Sequence, residues 1–203
     1  MTADTRTKRV RADAERSSAR ILEAAETLLA VDANATLEQI ADAAGLARIT
    51  VHRRFSSRQA LLEALNERFN ERYLRALEQA RVTTAPPLVA LHRLTEIVFD
   101  FRLSHRSALA SVVDPQTGSA ILAQEVIDGL NLLFSRLRAA GAITADDPTW
   151  CRQVYGALMC EVERLPPLTQ AEDGSVAEVG ARTDLLTRTV LGALGGRAET
   201  LHR

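Results

Sequence analysis

The stretch "TLEQIADAAGLARITVHRRF", residues 36–55, decides the fold because it reads as two short helices on either side of a glycine. Thr36 followed three residues later by Gln39 is the signature of a capping box, which begins a helix. Gly45 readily adopts the left-handed conformation that ends a helix. Residues 47–55 then predict a further helix of about two turns. A short helix, a glycine turn and a second short helix predict a helix-turn-helix unit.

Positive charge is concentrated on the second of these helices although the chain is almost neutral. The formal net charge is −1, from 25 basic and 26 acidic residues. No acidic residue occurs between Asp42 and Glu63. Val51 and Phe55 are one turn apart and are expected to face the core, so the opposite side presents basic side chains to solvent. A local basic face on a chain that is not basic overall therefore needs an explanation, and on charge alone a solvated helix face would be favoured.

The exposed side chains of residues 47–55 suit different parts of a DNA duplex. Arginine pairs in a bidentate manner with guanine O6 and N7, so we expect Arg48 to read a base in the major groove. Ile49 is expected to touch a thymine methyl group, and Thr50 a phosphate or a base edge. His52 and Arg53 are expected to hold phosphates, which fix the register without reading sequence. The alternative is a solvated helix face, but the helix-turn-helix spacing favours DNA.

The remainder of the chain also predicts helices and no β-strand. Residues 14–31 place Ile21, Ala25 and Leu29 at helical spacing. Ser56 and Gln59 have the spacing of a second capping box, and Asp147 and Pro148 suit the N-cap and first position of another helix. The predicted downstream helices are residues 57–80, 86–104, 119–140, 148–165 and 176–194.

The composition excludes several classes of protein. Hydrophobic residues make up 46% and charged residues 25% of the chain, as in an ordinary globular protein. No uncharged apolar run approaches the ~18 residues needed to span a membrane, and no apolar stretch follows the first charges as in a secretory signal. We therefore expect a cytoplasmic protein without membrane contact. Cys151 and Cys160 fall on opposite sides of one helix and are expected to be reduced and buried.

An enzyme is a poor alternative for this sequence. It contains no HExxH, no paired CxxC, no glycine-rich phosphate loop and no Gly-x-Ser-x-Gly elbow. The two cysteines with His92 or His105 could be imagined as nucleophile and base, but their spacing does not support this. We predict no catalytic residue, no metal site and no cofactor.

Residues 18–65 resemble the DNA-binding domain of the TetR family of bacterial transcription regulators. The resemblance is carried by "ARILEAAETLLA" at residues 19–30 and by the pattern T-x-x-x-I-A-x-x-A-G at residues 36–45. It is also carried by Phe55, which is followed directly by serine residues and then by a basic residue. It implies an all-α fold of about nine helices. A three-helix helix-turn-helix domain would precede a larger helical domain for ligand binding and dimerisation.

The resemblance also implies DNA contacts outside the basic face. Thr36 and Arg58 lie at helix starts, where free backbone amides favour a phosphate, and both match phosphate-binding positions of the family. Ala47, a further DNA-facing position, stands where the family usually has a capping Ser or Thr. Ile49 stands where a small residue is usual, and His52 replaces the usual tyrosine.

The implied organisation is a flexible basic tail, residues 1–12, a DNA-binding domain, residues 13–58, and a ligand-binding and dimerisation domain, residues 59–203. The tail is either solvated or adds contacts to DNA. The implied function is that of a homodimeric repressor, released from a pseudo-palindromic double-stranded operator by a small-molecule effector. The alternative is a dimeric DNA-binding regulator without such a ligand, controlled by a protein partner or by its own abundance.

The resemblance gives the C-terminal residues two roles. In this family the last two helices pair with those of a second subunit as a four-helix bundle, and here residues 148–165 and 177–194 fit. The predicted dimer residues on them are Val154, Leu158, Val162, Leu186, Val190 and Leu194. Ordinary packing in the core or at an interface is the alternative for the candidate pocket residues, which are Phe101, His105, Trp150, Tyr155 and Met159.

Overall fold

The computed structural model describes residues 3–113, 120–170 and 175–196, with side chains from Ala12 onward. These residues form nine helices, and their only β-pairing is a single bridge between Val113 and Ala120. The prediction of an all-α fold with an N-terminal helix-turn-helix and a larger helical part is confirmed. The helices are α1 (Ala3–Leu29), α2 (Leu37–Ala44), α3 (Arg48–Arg54), α4 (Arg58–Gln79), α5 (Pro87–Ser104), α6 (Arg106–Ala110), α7 (Gln124–Ala139), α8 (Pro148–Arg164) and α9 (Val176–Ala193).

The ends of α2 are set by local hydrogen bonds, as its sequence predicts. The Thr36 amide donates to Oε1 of Gln39 at 2.7 Å, and the Gln39 amide donates to the Thr36 hydroxyl at 3.3 Å. Gly45 follows α2 with a φ of 63°, in the left-handed region. The capping box and the glycine stop are therefore both confirmed. At α8, the predicted Asp147 cap is also present, since its carboxylate accepts from the Thr149 amide at 2.8 Å.

The predicted capping box at Ser56 is wrong by one residue. The Ser57 hydroxyl accepts from the Ala60 amide at 3.1 Å, and α4 begins at Arg58. Gln59 instead donates to the Glu63 carboxylate at 3.0 Å. Two adjacent serines offer the same chemistry, and only the one next to the first helical residue can reach an amide three positions on.

The first helix begins earlier than the sequence suggested. Residues 3–12, assigned to a flexible tail, continue α1. They contain no glycine or proline that would end a helix, and alanine, arginine and lysine are good helix formers. The flexibility of residues 1–12 stays a prediction, and Met1 and Thr2 lie outside the described part.

The segment between α5 and α7 also departs from the prediction. The sequence predicted no helix at Arg106–Ala110, where α6 lies. Five residues are too few to show a hydrophobic period. The next helix, α7, begins at Gln124 rather than at residue 119. The apolar residues Ile121 and Leu122 extended the helical pattern in the sequence beyond the helix itself.

The chain divides into two compact units, which are described separately. The first comprises Met1–Arg68 and His105–Ile121, and the second Phe69–Ser104 and Leu122–Arg203. Helix α4 contributes residues to both units. This division by contacts falls within α4, whereas the domains predicted from the sequence meet between residues 58 and 59, and that functional boundary stays a prediction.

Each unit has its own apolar core. In the first, Ile21 and Ala25 of α1, Ile40 of α2, Val51 of α3 and Leu65 of α4 are completely shielded from solvent. In the second, the core is built from α5, α7, α8 and α9 with the end of α4. Its fully buried members include Leu91, Phe99, Leu133, Leu137 and Leu186.

Three further features bear on the predicted classes of protein. No helix in the described residues is long and apolar enough to cross a membrane. The same residues contain no group of three His, Cys, Asp or Glu side chains able to hold a metal ion. Cys151 is buried and Cys160 is half-buried, and both are free thiols.

Candidate nucleic-acid interface

Helix α3 is anchored on one side and open to solvent on the other. Val51 is completely buried and Phe55 nearly so, while the Ile49 side chain is 78% exposed. An isoleucine so exposed on a short helix stands out beside two buried neighbours, because it gives up the free energy of burial. The exposed residues of the helix and its N-cap are Ala47, Arg48, Ile49, His52 and Arg53, with Thr50 half-buried.

The start of α3 has no side-chain cap. Ala47 occupies the N-cap position and no side chain bonds to the first amides, as the alanine predicts. The first turn holds no acidic residue, and the last turn holds His52, Arg53 and Arg54. Positive charge at the C-terminal end suits the helix dipole. The N-terminal end of α3 therefore lacks the stabilisation that a capping residue supplies, about 1 kcal/mol.

Two acidic side chains of α2 lie beside the basic face of α3. Oδ2 of Asp42 is 3.8 Å from Nη2 of Arg48, and Oε1 of Glu38 is 3.4 Å from Nε2 of His52. Hydrogen bonds from the Glu38 backbone amide and the Thr36 hydroxyl, with a smaller contribution from His52, lower the pKa of Glu38. This carboxylate is therefore charged at neutral pH.

The sequence did not reveal these two pairs, because the acids lie on α2 and their basic partners on α3. The stretch around α3 is free of acidic residues, yet the turn at Gly45 brings α2 back beside it. A usable signal was present in the spacing: Glu38 and Asp42 are four residues apart, as are Arg48 and His52. Residues four apart share one face of a helix, so two such faces can meet pairwise.

The two residues expected to hold phosphates at helix starts differ in their surroundings. Thr36 is exposed, and its hydroxyl caps α2. Arg58 is half-buried and donates from Nη2 to the Ala33 carbonyl at 2.6 Å and from Nε to the Ala35 carbonyl at 3.4 Å. Arg58 thus joins the start of α4 to the loop before α2. A phosphate contact by Arg58 stays a prediction.

The candidate pocket residues belong to both compact units, so each is described within its own unit. His105 belongs to the first unit, where its Nε2 lies 3.5 Å from Oε2 of the buried Glu26 of α1. Arg68 contacts the same carboxylate at 2.8 Å. Trp150, in the second unit, is 57% exposed at the start of α8.

The other three candidates lie within the second unit. Tyr155 and Met159 are buried, and the Tyr155 hydroxyl is 3.1 Å from that of Thr95. Burial raises the pKa of Tyr155, so its hydroxyl stays protonated. Phe101 packs edge-to-face against Tyr73 with ring centres 5.5 Å apart.

A groove of about 190 Å³ lies between α4 and α5 in this unit. Its walls include Tyr73, Ile97 and Phe101. The guanidinium of Arg72 lies 5.1 Å from the centre of the Phe101 ring, at cation–π distance. The groove therefore offers aromatic surface that already stacks on a cation of the chain itself.

A buried ion pair in this unit was not predicted either. Nε of Arg102 donates to Oε2 of Glu163 at 2.7 Å, and Nη1 donates to the Tyr73 hydroxyl at 3.4 Å. Burial raises the pKa of Tyr73, so its hydroxyl stays protonated beside the pair. The two charges come from helices distant in the sequence, α5 and α8, which is why no local pattern revealed them.

The predicted dimer residues lie largely inside the chain itself. Val154 and Leu158 of α8 are half-buried and retain accessible surface. The others have almost no surface to offer a partner, because α9 packs against both α5 and α8 within the same chain. These core residues are Val162, Leu186, Val190 and Leu194.

Comparisons with known proteins give consistent matches. Residues 21–65 match the family model described as bacterial regulatory proteins, tetR family. The HTH-type transcriptional repressor LfrR of Mycolicibacterium smegmatis is 35% identical over 153 residues, which cover 71% of this chain and 76% of the relative.

Solved structures show the same fold. The TetR-like transcriptional regulator LfrR from Mycobacterium smegmatis, in complex with proflavine, matches with a TM-score of 0.59 and 30% identity over 85% of this chain and 95% of its own. A regulatory protein in the tetR family from Rhodococcus RHA1 matches with a TM-score of 0.69 and 17% identity, over 89% of this chain and 98% of its own. At 17% identity, the second likeness concerns the fold alone.

Proposed function

The chain belongs to the TetR family of bacterial regulatory proteins, and from this premise we propose that it is a cytoplasmic, homodimeric repressor released from its operator by a small molecule. The observation that carries the proposal is the exposure of the basic side of α3 over the buried Val51 and Phe55. A helix held in this way can enter the major groove without disturbing its own core.

In the proposed complex, Arg48, Ile49 and Thr50 contact base edges, and His52 and Arg53 contact phosphates. Thr36, at the start of α2, and Arg58, at the start of α4, contact phosphates of the DNA backbone. Two such helices in a dimer reach successive major grooves about 34 to 36 Å apart. The operator is then a pseudo-palindrome, because the two-fold axis of the dimer relates its two half-sites.

The proposed dimer uses the solvent-facing sides of α8 and α9. Gly156 on α8 and Gly192 on α9 are exposed, and a β-carbon at either would meet no atom within 4 Å. Glycine within a helix costs about 1 kcal/mol relative to alanine. A close approach by a second chain gives these glycines a reason. The exposed Trp150 and the half-buried Val154 and Leu158 supply apolar area on the same helix.

An aromatic molecule is the first effector class to test. LfrR, a relative at 30% identity, was solved with proflavine. In this chain Tyr73 and Phe101 present ring surface at the groove between α4 and α5. A ligand that binds the folded protein raises its melting temperature. A screen of flat aromatic compounds, proflavine included, therefore separates ligand-responsive repression from the alternative of a regulator without a small-molecule ligand.

The proposed operator binding is tested by enrichment of random duplex DNA on the purified protein, repeated with Arg48→Ala. We expect a palindromic motif that Arg48→Ala relaxes at one position in each half-site. Binding without any motif, sensitive only to salt, would mean that the basic face holds phosphates alone. That result would reject sequence reading by α3.

A further inference from the structure

We propose that Glu38 and Asp42 of α2 are positioning residues that set the specificity of DNA recognition. Their carboxylates hold His52 and Arg48 in place on α3 and repel the phosphates of DNA that lacks matching bases. The inference rests on the proposed function, operator binding by α3, and adds two acidic residues to an interface that the sequence described as basic.

The geometry supports a paired arrangement rather than one chance contact. Glu38 and Asp42 lie one turn apart on α2, and His52 and Arg48 lie one turn apart on α3. Each acid meets one basic group, at 3.4 Å for Glu38 with His52 and at 3.8 Å for Asp42 with Arg48. The pairs therefore attach both turns of α3 to its neighbour.

Fold stability does not explain these pairs. The four side chains are between 43% and 69% exposed. Exposed ion pairs are screened by solvent and contribute little to folding. Their remaining effect is to restrict the side chains of Arg48 and His52, which otherwise lose rotational freedom only when they bind DNA.

Helix α3 needs such restraint more than a capped helix does. It has seven residues, and its N-cap, Ala47, makes no side-chain bond to the first turn. Asp42 acts at the uncapped end, on the residue next to the cap, and Glu38 acts one turn later.

The same two carboxylates discriminate between DNA sequences by repulsion. Phosphate contacts attract a basic helix to any duplex. A carboxylate in this surface opposes that attraction on every sequence. Arg48 replaces its ion pair with Asp42 by hydrogen bonds to guanine O6 and N7 only where a guanine is present. An acid placed among basic residues thus weakens binding to the wrong sequences more than to the right one.

The test compares the unaltered protein with Glu38→Gln, Asp42→Asn and the double variant. Glu23→Gln, which neutralises an exposed acid on α1 of the same unit, is the matched control. Dissociation constants are measured at two salt concentrations for the operator obtained by enrichment and for a random duplex. Thermal melting is recorded for each protein and is expected to stay the same for all.

We expect Asp42→Asn to bind random DNA about threefold more tightly, because one repulsive charge is gone. The ratio of its affinity for the operator to its affinity for random DNA is expected to fall about tenfold, the value of one well-placed base contact. Glu38→Gln should change the ratio in the same direction, and Glu23→Gln should leave it unaltered. Asp42→Glu, which keeps the charge, should restore most of the ratio.

Equal strengthening on both DNAs, with an unchanged ratio, would overturn the inference, since the acids would then only repel phosphates. A lower affinity ratio in a variant that also melts at a lower temperature would overturn it too, because the pairs would then be structural. If the unaltered protein itself shows no operator preference, the proposed function fails first, and that result is distinct from both.

Discussion

Arg182 and Glu178 lie one turn apart on α9 and form an ion pair that solvent does not reach, with 2.7 Å between Nε and Oε1 and side-chain exposures of 1% and 0%. Arg182 also donates to the Leu165 carbonyl at 3.1 Å. Glu178 accepts from the amides of Leu168 at 3.0 Å and Thr169 at 2.9 Å. The pair therefore holds the segment that follows α8 against the first turns of α9.

Removal of the cation should destabilise the protein strongly. Arg182→Met leaves the Glu178 carboxylate buried without its counter-charge, and breaking a buried pair in this way costs about 3 to 5 kcal/mol. The free energy of unfolding from urea denaturation measures the loss. Arg188→Met, at an exposed position of the same helix, is the control and should change stability by less than about 0.5 kcal/mol. Equal effects for the two variants would contradict this assignment.

The stability should depend on pH through Glu178. Burial alone would raise the pKa of Glu178, but hydrogen bonds from the Leu168 amide and from Thr169, with the charge of Arg182, lower it below the usual 4.5. A carboxyl whose pKa is lower in the folded state stabilises that state above its unfolded pKa, and this stability is lost as pH falls through the folded value.

Urea denaturation at a series of pH values below 6 tests this dependence. The unaltered protein should lose stability on acidification more steeply than Glu178→Gln, because the amide cannot be protonated in that range. Parallel profiles for the two proteins would show that other carboxyl groups account for the acid sensitivity.

The turn between α2 and α3 should tolerate asparagine better than alanine. Gly45 has a φ of 63°, and a side chain in the left-handed region costs about 1 to 2 kcal/mol unless it is asparagine or aspartate. Gly45→Ala is expected to lower the free energy of unfolding by about 1 kcal/mol. Gly45→Asn should lower it by less. Chemical denaturation of both variants measures the difference, and a larger loss for asparagine would contradict the strain argument.

Two arginines of α7 should contribute very differently to the stability of the fold although they are only two residues apart. Arg136 donates from Nη2 to the Ala85 carbonyl at 2.8 Å and from Nη1 to the Val82 carbonyl, so it fixes the turn from α4 to α5. Arg138 pairs with the exposed Asp146. Arg136→Ala should cost about 2 kcal/mol, because hydrogen bonds from a charged donor are strong. Arg138→Ala should cost under about 1 kcal/mol. Thermal unfolding of the two variants gives the comparison.

The proposed dimer should separate when charge is placed on the exposed side of α8. Ala157 is exposed at the middle of that helix, and Ala157→Arg would place an uncompensated charge between two chains, which costs several kcal/mol in a dry interface. Sedimentation velocity should show a shift toward monomer. Ser135→Arg, at an exposed position of α7, should leave the mass unchanged. A dimer that survives Ala157→Arg would locate the interface elsewhere.

The parts of this protein that depend on neighbours in the sequence could be predicted from the sequence. The α2 capping box of Thr36 and Gln39, the stop at Gly45, and the burial of Val51 under an exposed Ile49 were all predictable. A cap joins residues three apart, and a helical face repeats every three or four residues, so both are visible in a short window. The fold class and the basic face of α3 depend only on such windows.

Only the tertiary structure decided which distant groups meet. It placed Glu38 beside His52 and Arg102 beside Glu163, it placed His105 beside Glu26, and it buried Leu186 in the core of the second unit. An apolar stripe in the sequence predicts that a side chain is buried, but it does not predict which helix will pack against it. A charge likewise does not name its partner, because that depends on how the helices pack after each has formed.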